Sequence, residues 1–486
     1  MKIKYLQSSL AISLLFWINT YMNSAYSAEF PYPVVDTGQE RCYNATSEIA
    51  YPRQGEDFYG QDAQFQGLVP AYKDNGNGTV SDLNTGLMWI QDPGAKKTFA
   101  QAVADAKSCK AGGHNDWRLP TIKELYSLID LRGTDPNPMS RDTSSLHPFI
   151  DSKIFKFQYG KEEDGDRIID SQFATCTVYK GTTMGGNKTM FGLNFADGRI
   201  KGYPIDNIPG RGEKKYYVLY VRGNPEYGKN KFVDNGDGII TDQATGLMWS
   251  KSDSGKGMNW HDALAWVQKK NAEKYLGHSD WRLPNAKELQ SIVDYQRCPD
   301  TTDSAAIDPI FSVTSITNAA RQKDYPNYWT GTSHCSSKGT SETAVYVSFG
   351  RAMGCMHGRW MDVHGAGAQR SDPKSGDPAA YPQGHGPQGD EIRILNFVRC
   401  VRGGNPIIKT EGPSLTGISA VPSGQKTHFQ RLDKDGDGKI SRSEFDGPKD
   451  AFNRFDLDRD GFLSEKEMPE GPPQRGFPPQ PRQAGQ

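Results

Sequence analysis

Two stretches near the C-terminus hold the densest chemistry of the 486-residue chain. In the first, Asp433, Asp435 and Asp437 occupy positions 1, 3 and 5 of a twelve-residue loop, with Gly438 at 6, Lys439 at 7, Ile440 at 8, Ser441 at 9 and Glu444 at 12. The second repeats the pattern with Asp456, Asp458, Asp460, Gly461, Phe462, Leu463, Ser464 and Glu467. A hard divalent cation wants a shell of oxygens, and this spacing supplies one. Three aspartates, a backbone carbonyl at position 7, a water-bridged hydroxyl at 9 and a bidentate glutamate at 12 converge around a glycine turn. The reading is two Ca2+ ions, with Lys439 and Phe462 contributing only their carbonyls. The DNG turns at Asp74 and Asp234 lack this pattern, because Gly76 and Gly236 stand where the second ligand should be. They read as tight turns.

The loops start 23 residues apart, too close for a pair with full flanking helices. Gly447-Pro448 should break the helix leaving the first loop, and Ala451–Phe455 should enter the second. Residues 427–468 therefore read as a small α-helical pair, which resembles the compact EF-hand pairs of exported bacterial proteins. A Gly/Pro/Ser/Thr-rich linker (404–426) precedes it, and a Pro/Gln-rich tail (469–486) with the composition of a disordered segment follows.

The compartment is read from the other end. Lys2 and Lys4, the apolar run Leu10–Ile18, and small residues at Ala25 and Ser27 make residues 1–28 a secretory signal. The run is too short to span a bilayer, so the mature chain is expected to be secreted, on the cell surface or periplasmic, with no membrane span. With 57 basic against 58 acidic residues, the chain lacks the footprint of a nucleic-acid binder. A mean hydropathy of −0.70 excludes a multi-span membrane protein. Seven cysteines in an exported chain are expected to pair, leaving at least one over.

Between the ends lies a repeat. Asp74–Trp89 and Asp234–Trp249 agree at ten of sixteen positions, and Asp-Trp-Arg-Leu-Pro recurs at 116–120 and 280–284. Val-Arg-Gly closes each copy at 221–223 and 401–403. This places module one at 72–223 and module two at 231–403, after an N-terminal extension (29–71). Each module reads as a hairpin and two helices followed by short strands. Thr98 with Gln101, Thr121 with Glu124, and Asn285 with Glu288 have capping-box spacing, and Asn259 caps the remaining helix. Arg118 and Arg282 are expected to pair with Glu124 and Glu288, with Trp117 and Trp281 in the core.

TGLMW, DWRLP[TN]xKEL and the closing VRG together resemble the Lcl C-terminal domain family, over some 330 residues. The resemblance implies an α+β fold: two tandem C-type-lectin-like modules, each with two helices and an antiparallel sheet. It also implies binding of an extracellular polysaccharide or cell-surface ligand, as in collagen-like adhesins. The chain lacks their Gly-X-Y tract and the Glu-Pro-Asn or Gln-Pro-Asp lectin calcium motif.

Module two is longer than module one. Its excess, about Met353–Arg393, gathers Trp360, Asp362, His364, Arg370, His385 and Asp390 and reads as a ligand loop. The expected function is a non-catalytic, calcium-binding recognition protein. The alternative is an enzyme similar to the formylglycine-generating group, with Cys335 and Cys355 as its cysteine pair.

Overall fold

A computed structural model describes residues 30–413, apart from Met139, Glu162, Asp164 and 208–211, together with Leu432, Lys434, Asp435, 437–445, Phe452 and 460–464. The signal segment, the linker from 414 on and the tail lie outside the described residues. The chain divides into two compact units, Met1–Pro413 and Ser414–Gln486. No helix among the described residues is long and apolar enough to cross a membrane.

Each module opens on a four-stranded antiparallel sheet. In module one its order is Val221–Gly223, Leu87–Ile90, Thr79–Asp82, Tyr72–Asp74. Module two repeats it with Val401–Gly403, Leu247–Ser250, Ile239–Asp242, Phe232–Asp234. The closing Val-Arg-Gly thus lies against the Leu-Met-Trp strand, Arg222 opposite Met88 and Arg402 opposite Met248. The DNG segments are tight turns. Asp74 accepts from the Gly76 N–H at 2.8 Å and Asp234 from the Gly236 N–H at 3.0 Å, with both glycines at positive φ.

The helices start where the caps place them. Helix α1 (Phe99–Ser108) begins at the Thr98–Gln101 capping box, α2 (Ile122–Tyr126) at Thr121–Glu124, α3 (Trp260–Ala272) at Asn259, and α4 (Ala286–Ser291) at Asn285–Glu288. Along α1, Ala102 and Ala106 are buried, whereas Val103 is exposed, so its apolar face is narrower than its composition suggests.

The modules are fused. One six-stranded antiparallel sheet runs through both, in the order Asn327–His334, Thr343–Ser348, Gln369–Pro373, Arg199–Pro204, Thr189–Asn194, Gln172–Phe173. Its halves meet where Ile200 faces Gln369. These residues are counterparts, since Ile200 faces Leu193 and Gln369 faces Val347 in the matching strands. An approximate twofold axis therefore passes through the join. Helices α2 and α4 obey it too: Lys123 donates to the Ser291 carbonyl at 2.6 Å, and Lys287 to the Ser127 carbonyl at 2.9 Å. One apolar core holds Trp89, Leu125 and Leu193 of module one with Trp249, Leu289 and Val347 of module two.

The excess of module two is not one loop. It is split around Gln369–Pro373, which takes the sheet position that Arg199–Pro204 takes in module one. The first part forms a hairpin, Met353–Met356 with Arg359–Asp362. The N-terminal extension lies across both modules, Thr37 accepting from the Leu131 N–H and Gln39 from the Ser333 N–H. Its strand Phe65–Gln66 pairs with Ile407–Ile408, so the first part of the segment expected as a linker is instead built into this unit. All seven cysteines are free thiols, against the expected pairing. Cys400 lies in the module-two core, Cys298 beside Thr301, and Cys335 donates to the Tyr43 hydroxyl at 3.2 Å.

Candidate functional site

The second unit carries the loop chemistry. Ile440 and Leu463, the apolar eighth residues of the two loops, face each other in a short antiparallel pair, and Ser441 faces Phe462. They are buried with Leu432 and Phe452, against Phe445. Gly438 and Gly461 adopt positive φ, the sharp turn that the sixth position requires. Asp435 accepts from the Asp437 N–H, Asp437 from the Lys439 N–H, and Asp460 from the Phe462 N–H, so these carboxylates curl inside their own turns. Lys439 reaches across to Asp460 at 3.0 Å.

Glu444 closes the first loop. Its carboxylate accepts from the Ser441 hydroxyl and N–H at 2.7 and 2.9 Å, and from the Lys434 N–H at 2.8 Å. The Ser441 contacts, then the Lys434 N–H, hold its carboxyl down to about 2. It therefore carries full negative charge at neutral pH and lies over the loop's opening residues. That posture, the paired eighth residues and the glycine turns fit Ca2+. Asp435, Asp437 and Glu444 with the Lys439 carbonyl would hold one ion, and Asp460 with the Phe462 carbonyl belongs to the other. Asp433, Asp456, Asp458 and Glu467 fall outside the described residues, and Ser464 directly follows the strand Phe462–Leu463. Among the described residues no three acidic, His or Cys side chains already lie close enough together to hold an ion, so Asp435, Asp437 and Glu444 would have to draw in around it.

In the first unit, the expected ligand loop is mostly interior. Asp362 is buried and accepts from the Tyr179 hydroxyl at 2.8 Å. His364 is buried, its Nε2 at 2.8 Å from Asp390, and Arg370 is buried against the same carboxylate. Trp360 is half-buried on the hairpin, opposite Cys355, and only His385 is exposed. The residue types do gather as the sequence suggests, but they knit the join between modules instead of lining an opening. Nor does the proposed cysteine pair share surroundings: Cys335 lies by Tyr43, whereas Cys355 sits in the hairpin.

An opening exists elsewhere. A cleft of about 590 Å³ lies over the start of α2, walled by Arg118, Glu124, Cys176 and Thr177 of module one and by Asp294 and Asp308 of module two. Arg118 grips Glu124 with two bonds, at 2.7 and 2.6 Å, and the same carboxylate accepts from the Thr121 N–H at 2.8 Å. The α4 copy matches it bond for bond. Arg282 holds Glu288 at 2.5 and 2.7 Å, and Glu288 accepts from the Asn285 N–H at 2.9 Å. Thr177 and Thr332 accept from the first helical N–H of α2 and α4, while Cys176 and Gly331 donate to Pro120 and Pro284.

The surroundings of the two copies differ. Over α4 the space is filled by the N-terminal extension, leaving a remnant of about 20 Å³ beside Arg282 and Glu288, with another of about 100 Å³ where the extension passes Leu128–Asp130. The Thr332 hydroxyl donates to Asp62 at 2.6 Å, as does Thr37 at 2.7 Å, and the Phe65 ring lies 5.9 Å from the Arg282 guanidinium. Gly331 lets the extension pass: a Cβ there would come within 3.1 Å of the Asp62 nitrogen. In consequence the Arg282 side chain is 6% exposed and that of Arg118 37%. The sequence carried a signal for this difference, Thr-Cys-Thr at 175–177 against Thr-Gly-Thr at 330–332, but the extension's path is not written in either copy.

Burial, then the Asp36 charge, push the Asp62 carboxyl up to about 7, against the two hydroxyl bonds that lower it. A raised folded-state value means a stabilising proton, fully effective below about pH 4 and lost as pH rises through 7. Asp62→Asn should therefore melt higher than the unsubstituted chain at pH 8, with the gap closing towards pH 4. Thermal melts across that range check this, and parallel curves for the two proteins would refute it.

Fold and loops define a class: a fused tandem α+β repeat followed by a paired-loop calcium unit. The Lcl C-terminal domain model matches residues 78–222 and 238–362, more than half of the chain, and the chain belongs to that family. The EF hand model matches 426–446 and 449–468, which identifies the second unit as calcium-binding. The second Lcl match stops at the end of the inserted hairpin, yet Gln369–Pro373 and Val401–Gly403 beyond it hold the same sheet places as their counterparts in the first copy. No curated protein and no solved structure matched the chain.

Proposed function

We propose that this is an exported, calcium-binding, non-catalytic recognition protein whose fused, C-type-lectin-like modules bind a ligand on a cell surface. The observation that carries the reading is the open cleft over α2, set beside an identical bonding frame over α4 that the chain's own extension closes. A frame built twice and left open once is suited to binding. Its Arg118–Glu124 pair is already satisfied, the sequence holds no nucleophile elbow, HExxH or Walker loop, and the Gly-x-Gly-x-x-Gly run at Gly384–Gly389 opens no helix, as a dinucleotide fingerprint must. The signal-like N-terminus and the family's occurrence in exported proteins support the location, and calcium-rich surroundings suit loops of this type. The family resemblance supplies polysaccharide as one ligand class. The test is binding of the mature chain to arrayed glycans and to intact bacterial surfaces, with and without calcium. Specific retention on either is the expected result. Retention on neither, by a folded protein, removes the reading.

A further inference from the structure

The closed copy shows what the open one is shaped to hold. Over α4 the occupant is polypeptide. Asp62 takes the Thr332 hydroxyl, the chain from Gly60 to Asp62 runs against Gly331, and Phe65 lies over Arg282. Over α2 the matching positions are Thr177, Cys176 and Arg118. All three line the cleft, with Cys176 exposed at the place where the extension would pass.

We propose that the α2 cleft docks an extended segment of a partner protein that presents an aspartate and, three residues later, an aromatic side chain. The aspartate accepts from Thr177, and the ring covers the outer face of Arg118. This rests on the recognition reading above and names its ligand as polypeptide. The contact chemistry agrees: the acid meets a hydroxyl, as Asp62 meets Thr332, and the ring meets a guanidinium, as Phe65 meets Arg282. The volume agrees as well. The α4 copy of this space takes two passes of the extension, residues 36–40 and 62–68, with only small remnants left.

The probe is a peptide of residues 58–68, Phe-Tyr-Gly-Gln-Asp-Ala-Gln-Phe-Gln-Gly-Leu. Cys176 in the full chain reports occupancy through its alkylation rate, resolved from the other cysteines by mass spectrometry. Saturating peptide should slow alkylation of Cys176 roughly tenfold and leave Cys355 unchanged, and D62A and F65A peptides should each need roughly tenfold more to do so. Cys176→Phe, which fills the cleft, should abolish binding of a fluorescent peptide at unchanged melting temperature. Several results would overturn the inference. Cys176 could stay unprotected at millimolar peptide, or the substituted peptides could protect equally well. A sulphated oligosaccharide protecting Cys176 in the peptide's place would also sink it while leaving the recognition reading intact. So would concentration-dependent self-association that protects Cys176 without peptide, which would make a second copy the occupant.

Discussion

Glu288→Ala lowers the unfolding free energy of the 30–413 unit by about 3–5 kcal/mol, and Glu124→Ala by roughly 1–2 kcal/mol. Both changes remove a capping-box acid and a two-bond arginine contact, so local chemistry alone gives equal losses. Burial separates them. With Glu288 gone, the Arg282 charge keeps the neutral Gly403 carbonyl at 3.3 Å but loses the carboxylate bonded to it, and with 6% of its side chain exposed water cannot replace the lost charge partner. Arg118, 37% exposed, can turn into the cleft and be hydrated, so most of what remains is the lost cap. Urea unfolding of the full chain measures both. Because the modules share a sheet and a core, each variant should move one cooperative transition of the whole unit, not a module-specific step. Equal losses would show that the extension does not seal the α4 copy. Separate transitions for the two modules would show that the join at Ile200 and Gln369 is weak.

What could be read from the sequence was local. Thr98 with Gln101, and Asn285 with Glu288, announce helix starts because a cap and its acid lie within one turn. The Asp-Asn-Gly turns and the pairing of Leu87–Ile90 with its hairpin neighbour are likewise settled within twenty residues. The calcium loops belong here too, since a twelve-residue ligand order is complete in itself. What could not be read was long-range. Ile200 meets Gln369 through a register that no local pattern sets, and this contact turns two modules into one body. The same join explains why most of the expected ligand-loop residues are buried. Asp362, His364 and Arg370 look like an exposed chemical cluster along the chain, but the strand Gln369–Pro373 carries part of that stretch into the centre of a sheet. Deleting Gly354–Ile392, attractive for a loop, would remove that strand and with it the junction. The extension's role was equally hidden, because Asp62 and Phe65 gain meaning only from Thr332 and Arg282, far along the chain.

Chelation of calcium unfolds residues 427–468 and leaves the 30–413 unit unchanged. The apolar side chains that hold the second unit among its described residues are few: Leu432, Ile440, Phe452 and Leu463, with Phe445 against them. A segment of this size seldom has enough core to stay folded without metal or another staple. Against that small core stand eight loop carboxylates, Asp433, Asp435, Asp437 and Glu444 with Asp456, Asp458, Asp460 and Glu467. Lys439, bridging to Asp460, offsets only part of their repulsion. Two ions offset the rest, each adding about 2.7 kcal/mol at a hundred times its dissociation constant. Since Ile440 and Leu463 face each other in the short strand pair, filling one loop fixes the eighth residue of the other, and the two ions should bind cooperatively. Calorimetric titration of the full chain should give two ions per molecule, with affinity as weak as roughly 10⁻⁴–10⁻³ M for extracellular loops of this kind. Amide exchange should show protection of Ile440, Ser441, Phe462 and Leu463 lost on chelation, with the strands of the six-stranded sheet unaffected. Asp433→Ala with Asp456→Ala should reproduce the chelated pattern in saturating calcium, because each removes the first ligand of its loop. Absence of calcium binding at millimolar concentration would end the assignment. Protection that survives chelation would mean the small core suffices alone, leaving calcium as a ligand of the unit and not the condition of its folding.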